Sequence, residues 1–255
     1  MNRRLIRIVI AAGLSLVGAG ALASVASATY HENRIREVHE GGVTGDYVEL
    51  QAFAAGQNLV GGKYINTYDG GGNLLTSTLI PSNVSNSGNQ ATILIAHDAS
   101  TIGADVVNAG LNVVNTGGTV CFSTSSVGTD PAVDCVAYTS GPTMFPTPAP
   151  SAYGTPVSLP GGDLTGMTLI RSISRGCTTA LDAADDTDNS AADFTVGTGN
   201  PRGNSVTPTE TVCPPGNPNS STNPAGKTRK RKCKKKQKRS AEVAKKKKCK
   251  KKKKH

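Results

Sequence analysis

The 255-residue chain has room for one or two domains, contains no Trp and is only 4% aromatic. Its formal charge of +10 conceals a segregation: residues 227–255 hold 19 Lys and Arg against one acid, while residues 29–226 hold 6 basic and 17 acidic residues. A single apolar run, close to the N-terminus, approaches the roughly 20 residues that span a bilayer, which excludes a bundle of membrane-spanning helices.

Arg3, Arg4 and Arg7 precede that run at 8–25, and Ala26-Ser27-Ala28 then supplies small residues at the positions a signal peptidase reads. Residues 1–28 are therefore expected to be a secretory signal peptide cleaved after Ala28, and the protein to be extracellular or associated with the cell surface. Arg3-Arg4 leaves the twin-arginine route open. An uncleaved anchor is the competing reading of the same run, whose Gly and Ser make it only mildly apolar.

From 29 to 205 the apolar residues come in short runs separated by Gly, Asn, Asp and Pro, with no helical period. Strands are expected at 34–39, 47–53, 63–68, 74–79, 92–96, 119–123, 133–138 and 168–174. In the second of these, Val48, Leu50 and Ala52 alternate with Tyr47, Glu49 and Gln51, the pattern of a half-buried strand. Asp69-Gly70-Gly71-Gly72-Asn73 lies between two strands at hairpin spacing and supplies residues tolerant of positive φ. Many short strands with Gly-rich turns predict an all-β sandwich or barrel as a single domain over 29–205. A helix is expected only at 99–110.

Six cysteines in an exported chain predict disulfides. Cys121 and Cys135 lie 14 residues apart across a turn-rich stretch and are expected to pair. Four cysteines permit three connectivities; by elimination Cys177 would join Cys213. Cys233 and Cys249 sit among lysines that favour thiolate, so they would exchange readily, either closing a local disulfide or linking chains.

Carboxylates concentrate at Asp182, Asp185, Asp186, Asp188 and Asp193. Hard oxygen ligands at this density are of the type that holds Ca²⁺, with Asp182, Asp185, Asp186 and Asp188 the candidate ligands. EF-hand spacing fails, because neither the Gly at position six nor the Glu at position twelve is present. The expectation is a solvated acidic loop, or a docking patch for the basic tail. His31, His39 and His97 lack a recognisable catalytic partner pattern, and neither G-x-S-x-G nor H-E-x-x-H occurs. No cofactor, small-molecule substrate or enzymatic activity is expected.

Residues 206–226 carry Pro208, Pro214, Pro215, Pro218 and Pro224 among Ser, Thr, Asn and Gly, the composition of an extended linker. Residues 227–255 follow as a Lys-rich tail, expected to be disordered when free because its charges repel. Lys245, Lys246, Lys247, Lys248, Lys250, Lys251, Lys252, Lys253 and Lys254 form its densest part and are the candidate polyanion-binding residues. Counterion release makes such binding steeply salt-dependent. Outside a cell the partners on offer are anionic envelope polymers, anionic lipid surfaces, extracellular DNA and acidic polysaccharide. No aromatic residue interleaves the lysines, so the stacking used by single-strand binders is missing.

Several segments, in order, carry a family resemblance. Ile35-Arg36-Glu37-Val38 and then Asp46-Tyr47-Val48-Glu49-Leu50 resemble the opening of the lamin-tail domain family, in which a turn separates a first strand from a "WVEL"-like second one. Leu59-Val60-Gly61-Gly62-Lys63-Tyr64 is similar to its "L-x-G-W" step, and Gly118-Thr119-Val120-Cys121-Phe122 to its "GD-x-V-x-L" strand. Asp134-Cys135-Val136-Ala137-Tyr138 is similar to "D-x-V-x-Y", and Gly166-Met167-Thr168-Leu169-Ile170-Arg171 to "G-x-SL-x-R". Asp188-Asn189-Ser190-Ala191-Ala192-Asp193-Phe194, followed by Asn200-Pro201-Arg202-Gly203-Asn204, resembles the closing motif of bacterial members. The resemblance spans roughly 34–205. It departs from the pattern in lacking Trp, in Gln51-Ala52 where the family has "Y-N", and in a Pro-rich insertion at 144–160.

The resemblance implies an immunoglobulin-like β-sandwich acting as a non-catalytic interaction module. With the tail, it leads to an expected secreted structural module retained at an anionic cell envelope. A secreted nonspecific nucleic-acid binder is the alternative, and an uncharacterised hydrolase the third reading.

Overall fold

The computed structural model describes residues 29–101, 103–126, 132–140 and 153–213, apart from the side chain of Val43. The chain divides into two units, Met1–Ser221 and Thr222–His255. The expected signal peptide, the linker beyond Cys213, the tail with Lys245–Lys254, Cys233 and Cys249 all lie outside the described residues.

The described residues are all-β, as expected. Among them eleven strands form two sheets: β1 (Asn33–His39), β2 (Tyr47–Ala52), β3 (Tyr64–Asp69), β4 (Leu74–Leu79), β5 (Thr92–Ala96), β6 (Val106–Val107), β7 (Gly117–Ser123), β8 (Ala132–Thr139), β9 (Val157–Ser158), β10 (Thr168–Arg171) and β11 (Phe194–Gly197). One sheet runs β11-β10-β1-β2-β5-β6 and the other β4-β3-β7-β8-β9. The chain changes sheet four times, after β2, β4, β6 and β9, so every connection between these pairs stitches the two layers together. Among the described residues helix is confined to single turns at Gly42–Gly45 and Ser190–Asp193 and two short 3₁₀ segments.

Between the sheets lies one continuous core. Ile35, Val38, Val48, Leu50, Ile93 and Ile95 from the six-stranded sheet meet Ile65, Val120, Phe122, Val136 and Tyr138 from the other. Apart from Ile35 and Val38, which a shift in the β1–β2 register sets three apart, these are the apolar members of the period-2 pattern, and burying each aliphatic side chain contributes roughly 1.5–3 kcal/mol before entropy is charged. At the β3–β4 hairpin, the Asp69 carboxylate accepts the N–H groups of Gly71 and Asn73 (2.9 and 2.8 Å), and Gly72 takes φ of 85°.

Three departures from expectation concern the strands and helices themselves. The described part of 99–110 forms turns and the short β6, with no helix. Strands β6, β9 and β11 are too short, at two, two and four residues, to leave a clear period. Most consequentially, β2 is buried on both faces: Tyr47, Glu49 and Gln51 are as enclosed as Val48 and Leu50. The cover is residues 198–213, which turn back over the outer face of β1, β2 and β5 as a strap. A Cβ at Gly199 would fall on the Tyr47 hydroxyl, and one at Gly203 on the Gly103 carbonyl, so the strap needs glycine to lie this close.

Candidate functional site

The Asp-rich segment is built around Arg171, at the end of β10 and 1% exposed. Its Nε–H donates to the Ile35 carbonyl (2.9 Å), Nη2 to Asp134 Oδ2 (2.6 Å), and Nη1 to the Asp185 carbonyl (3.2 Å) and Asp186 Oδ1 (3.3 Å). The guanidinium also lies 4.5 Å from the Phe194 ring centroid. Burial opposes charge on Arg171, but Asp134, Asp186 and Asp193 outweigh it and raise its pKa above the ordinary value. Arg34 and Arg175 extend the network, Arg34 to Asp186 and Arg175 to Asp193 (2.7 Å). Burial likewise works against charge on Asp186, yet Arg171 and Arg34 hold its carboxyl below the usual carboxylate range.

This arrangement corrects the expected solvated acidic loop. Asp185 and Asp193 are fully enclosed, and only Asp188 among the four Ca²⁺ candidates is freely exposed. Asp182 accepts the N–H groups of Cys177 and Ala184, and Asp185 those of Ser174, Arg175 and Asp182. Asp182, Asp185 and Asp186 thus spend their oxygens on backbone N–H and guanidinium groups. Among the described residues no group of three or more His, Cys, Asp or Glu side chains is placed to hold a metal ion.

A second ionic cluster lies under the strap. Tyr47 donates its hydroxyl proton to Glu37 Oε2 (2.9 Å), the Asn200 N–H donates to the same oxygen (3.0 Å), and the Arg202 N–H donates to Glu49 Oε2 (2.6 Å). Arg202 binds Glu210 through both terminal nitrogens, at 2.7 and 3.0 Å, a bidentate pair. Its distance to Glu49 is 3.6 Å, beyond a hydrogen bond. Burial therefore prevails at Glu49, which the Arg202 N–H relieves only in part, and its pKa is pushed up to about 8. Gln51 Nε2 donates to Glu210 Oε1 (2.8 Å), joining strap to β2. The packed chain accordingly continues past Ser205, where a linker was expected to begin, as far as Cys213.

Both expected disulfides form. Cys121 and Cys135 are direct partners in the β7–β8 register, 4.1 Å apart at Cα, and pack with Tyr68 and Tyr153 on the outer face of the five-stranded sheet. Cys177 joins Cys213, with Thr211 N–H donating to the Thr179 carbonyl beside it (3.1 Å). Two disulfides are compatible with an extracellular protein. No helix among the described residues is long and apolar enough to cross a membrane.

The three described histidines make local contacts. His39 stacks on Tyr47 and bonds through Nδ1 to the Thr168 hydroxyl (2.9 Å), a group that is itself fully buried. His97 bonds through Nδ1 to the Leu111 carbonyl (2.8 Å), and His31 lies against Tyr30.

What sequence reading missed is where the acidic excess goes. Glu37, Glu40, Asp46, Glu49, Asp134, Asp185 and Asp193 are all buried, acting as fasteners for N–H and guanidinium groups. The domain consequently presents a weaker negative surface than its composition suggests. The available signal was a Glu at the outward position of β2 between Tyr47 and Gln51, two residues that also favour cover. Against known protein families and curated proteins, the chain matches no family model and no individual protein.

Proposed function

We propose that this chain is a secreted, non-catalytic interaction module of lamin-tail type, retained at an anionic cell envelope by its polycationic C-terminal segment. The observation that carries this reading is the charge segregation: 19 Lys and Arg against one acid in residues 227–255, joined to a domain whose own excess is acidic. Lysines are compact point charges with little geometric selectivity, so the segment binds by charge density and not by sequence. Each phosphate or carboxylate it neutralises releases a counterion, which makes binding strong at low salt and weak at high salt.

The lamin-tail reading draws support from how the resembling segments meet. Asp134, Arg171 and the Asp193-Phe194 pair come from three separate motifs and share one buried cluster, while Asn200 to Asn204 supplies the strap over Tyr47 and Glu49. Residues that carry the resemblance are thus fasteners of the sandwich, as expected for a module whose fold is the common property.

The test compares the full chain with one ending at Gly226 for binding to isolated envelopes and to duplex DNA across a salt series. Retention predicts that truncation abolishes envelope association and that salt weakens it steeply. Unchanged envelope association after truncation overturns it. Full-chain binding to DNA with none to envelopes selects the nucleic-acid reading instead.

A further inference from the structure

The two disulfides differ in access. Cys121 and Cys135 are enclosed in the five-stranded sheet, 0% and 6% exposed, with β3 and β9 flanking the β7–β8 pair. Cys177 is enclosed too, at 4%, but its partner Cys213 is partly exposed and follows the exposed Thr211 and Val212. Thiol–disulfide exchange needs a thiolate to reach a sulfur, so the second bridge is the one that solvent thiols meet first.

The strap that this bridge closes is fastened unevenly. Up to Asn204 it is held at successive residues: the Asn200 and Arg202 N–H groups bind Glu37 and Glu49, and the Gly203 carbonyl accepts the Thr92 hydroxyl (3.2 Å). Asn204 is 3% exposed. It donates its N–H to Asp105 Oδ2 (2.8 Å) and its side-chain amide to the Thr92 carbonyl (2.9 Å), while its Oδ1 accepts the Asn86 N–H (2.7 Å). Past Asn204 exposure rises, and Ser205, Val206, Thr207, Thr209, Thr211 and Val212 all face water. Among the described residues, three fastenings tie this last stretch down. The Glu210 carboxylate binds Arg202 and Gln51, Thr211 exchanges hydrogen bonds with Thr179, and the bridge itself is joined by the Cys213 N–H on Cys177 Sγ (3.0 Å).

We infer that residues 205–213 are a flap hinged at Asn204 and latched by the Cys177–Cys213 disulfide, and that an external dithiol opens it. One thiolate of the dithiol attacks Cys213 Sγ, the bond to Cys177 breaks, and Cys177 leaves as a thiolate beside the Thr179 hydroxyl (3.6 Å). The second thiolate then attacks the mixed disulfide and expels Cys213. Two electrons pass to the bridge, the dithiol ends as a disulfide, and its two protons end on Cys177 and Cys213. The fastenings left are partly exposed polar contacts, which water replaces at little cost. As the flap lifts it draws Glu210 from Arg202, whose guanidinium stands 3.6 Å from Glu49, so the state of a surface bridge is felt at a buried carboxylate of β2. The chain then leaves the sandwich at Asn204, and the nine residues 205–213 add about 30 Å of extended chain before the C-terminal segment.

The test takes the full chain with its free thiols first alkylated, exposes it to graded dithiothreitol, quenches in acid and labels the new thiols with a second reagent in denaturant for peptide mapping. A protease that cuts after Glu reads the flap in parallel. Cys177 and Cys213 are expected to be labelled together, at dithiothreitol concentrations at least about tenfold below those that label Cys121 and Cys135. Cleavage after Glu210 is expected to quicken at least about tenfold on that reduction, with Glu37 and Glu49 uncut because the sandwich stays folded. Cys177→Ser/Cys213→Ser should be cut after Glu210 without reductant, as fast as the reduced parent. Labelling of Cys121 and Cys135 first or in step with the other pair overturns the proposal, as does cleavage after Glu210 that reduction leaves unchanged. Cleavage at Glu37 or Glu49 in step with Glu210 also overturns it, since the whole strap would then have come away.

Discussion

Arg171 and Arg202 each anchor an ionic cluster, but the two are balanced differently. Around Arg171, the carboxylates of Asp134, Asp186 and Asp193 are matched by three guanidiniums, those of Arg34, Arg171 and Arg175. Under the strap, Arg202 commits both terminal nitrogens to Glu210 and leaves Glu49 enclosed with only a backbone N–H bonded to its carboxylate. In the first arrangement Asp186 is held below the usual carboxylate range; in the second, burial pushes Glu49 up and favours the neutral acid. Burial alone decides neither outcome. At Asp186 two guanidiniums within hydrogen-bond reach outweigh it, whereas at Glu49 the Arg202 guanidinium stands 3.6 Å off and does not.

The largest effect that would break this contrast is Arg171→Ala. It strands Asp134, and a buried charge left without its partner costs about 3–5 kcal/mol; urea unfolding should show that loss, with the midpoint falling and the slope unchanged. A loss under about 1 kcal/mol would mean that the network adds little.

Next in size is a pH effect with opposite signs at Glu49 and Asp186. Glu49 keeps its proton to about pH 8 in the folded chain but releases it near its ordinary 4.5 when unfolded. Between those values folding takes up a proton, so stability declines as pH rises through the window, by on the order of a few kcal/mol at most. Asp186 works the other way, its contribution being present above the ordinary carboxylate pKa and lost as pH falls through its depressed folded value. Glu49→Gln keeps an acceptor for the Arg202 N–H and should flatten the melting curve between pH 5 and 8 without altering the acid limb. Equal slopes for variant and parent would show that Glu49 is ionised.

The smallest expected effect is Glu210→Ala, which frees Arg202 from a partly exposed pair and costs about 1 kcal/mol. Its value lies in sharpening the comparison. With Glu210 gone, Arg202 is free to turn to Glu49, and the pH dependence assigned to Glu49 should shrink. Melting temperatures of the variant across pH 5 to 8 test this directly.

Much of the sandwich was legible because alternation and turn chemistry are local. The eight expected strands coincide with strands of the structure, although the segment 168–174 pairs only as far as Arg171. The disulfides were legible from spacing and count. Cover of the outer face of β2 was not, since nothing local distinguishes an outward Glu49 in water from one beneath a residue contributed 153 positions later in the chain. For the same reason the Asp-rich segment read as solvated: its guanidinium partners are far away in sequence or, like Arg175, on the facing side of the loop. Paired charges erase the hydrophobic pattern that marks burial.

The Cys177–Cys213 bridge also sets how load would travel through the molecule. If the C-terminal segment is held at a surface while flow or growth pulls on the body, tension enters at Cys213 and passes through the sulfur bridge directly to Cys177 beside the Arg171 cluster. The 35 residues between the two cysteines, which include β11 and the whole strap, lie in a covalent bypass and carry none of that force. Non-covalent fasteners such as Arg202–Glu210 therefore never act as the tether, and the cover over Glu49 stays seated while the anchor is under strain.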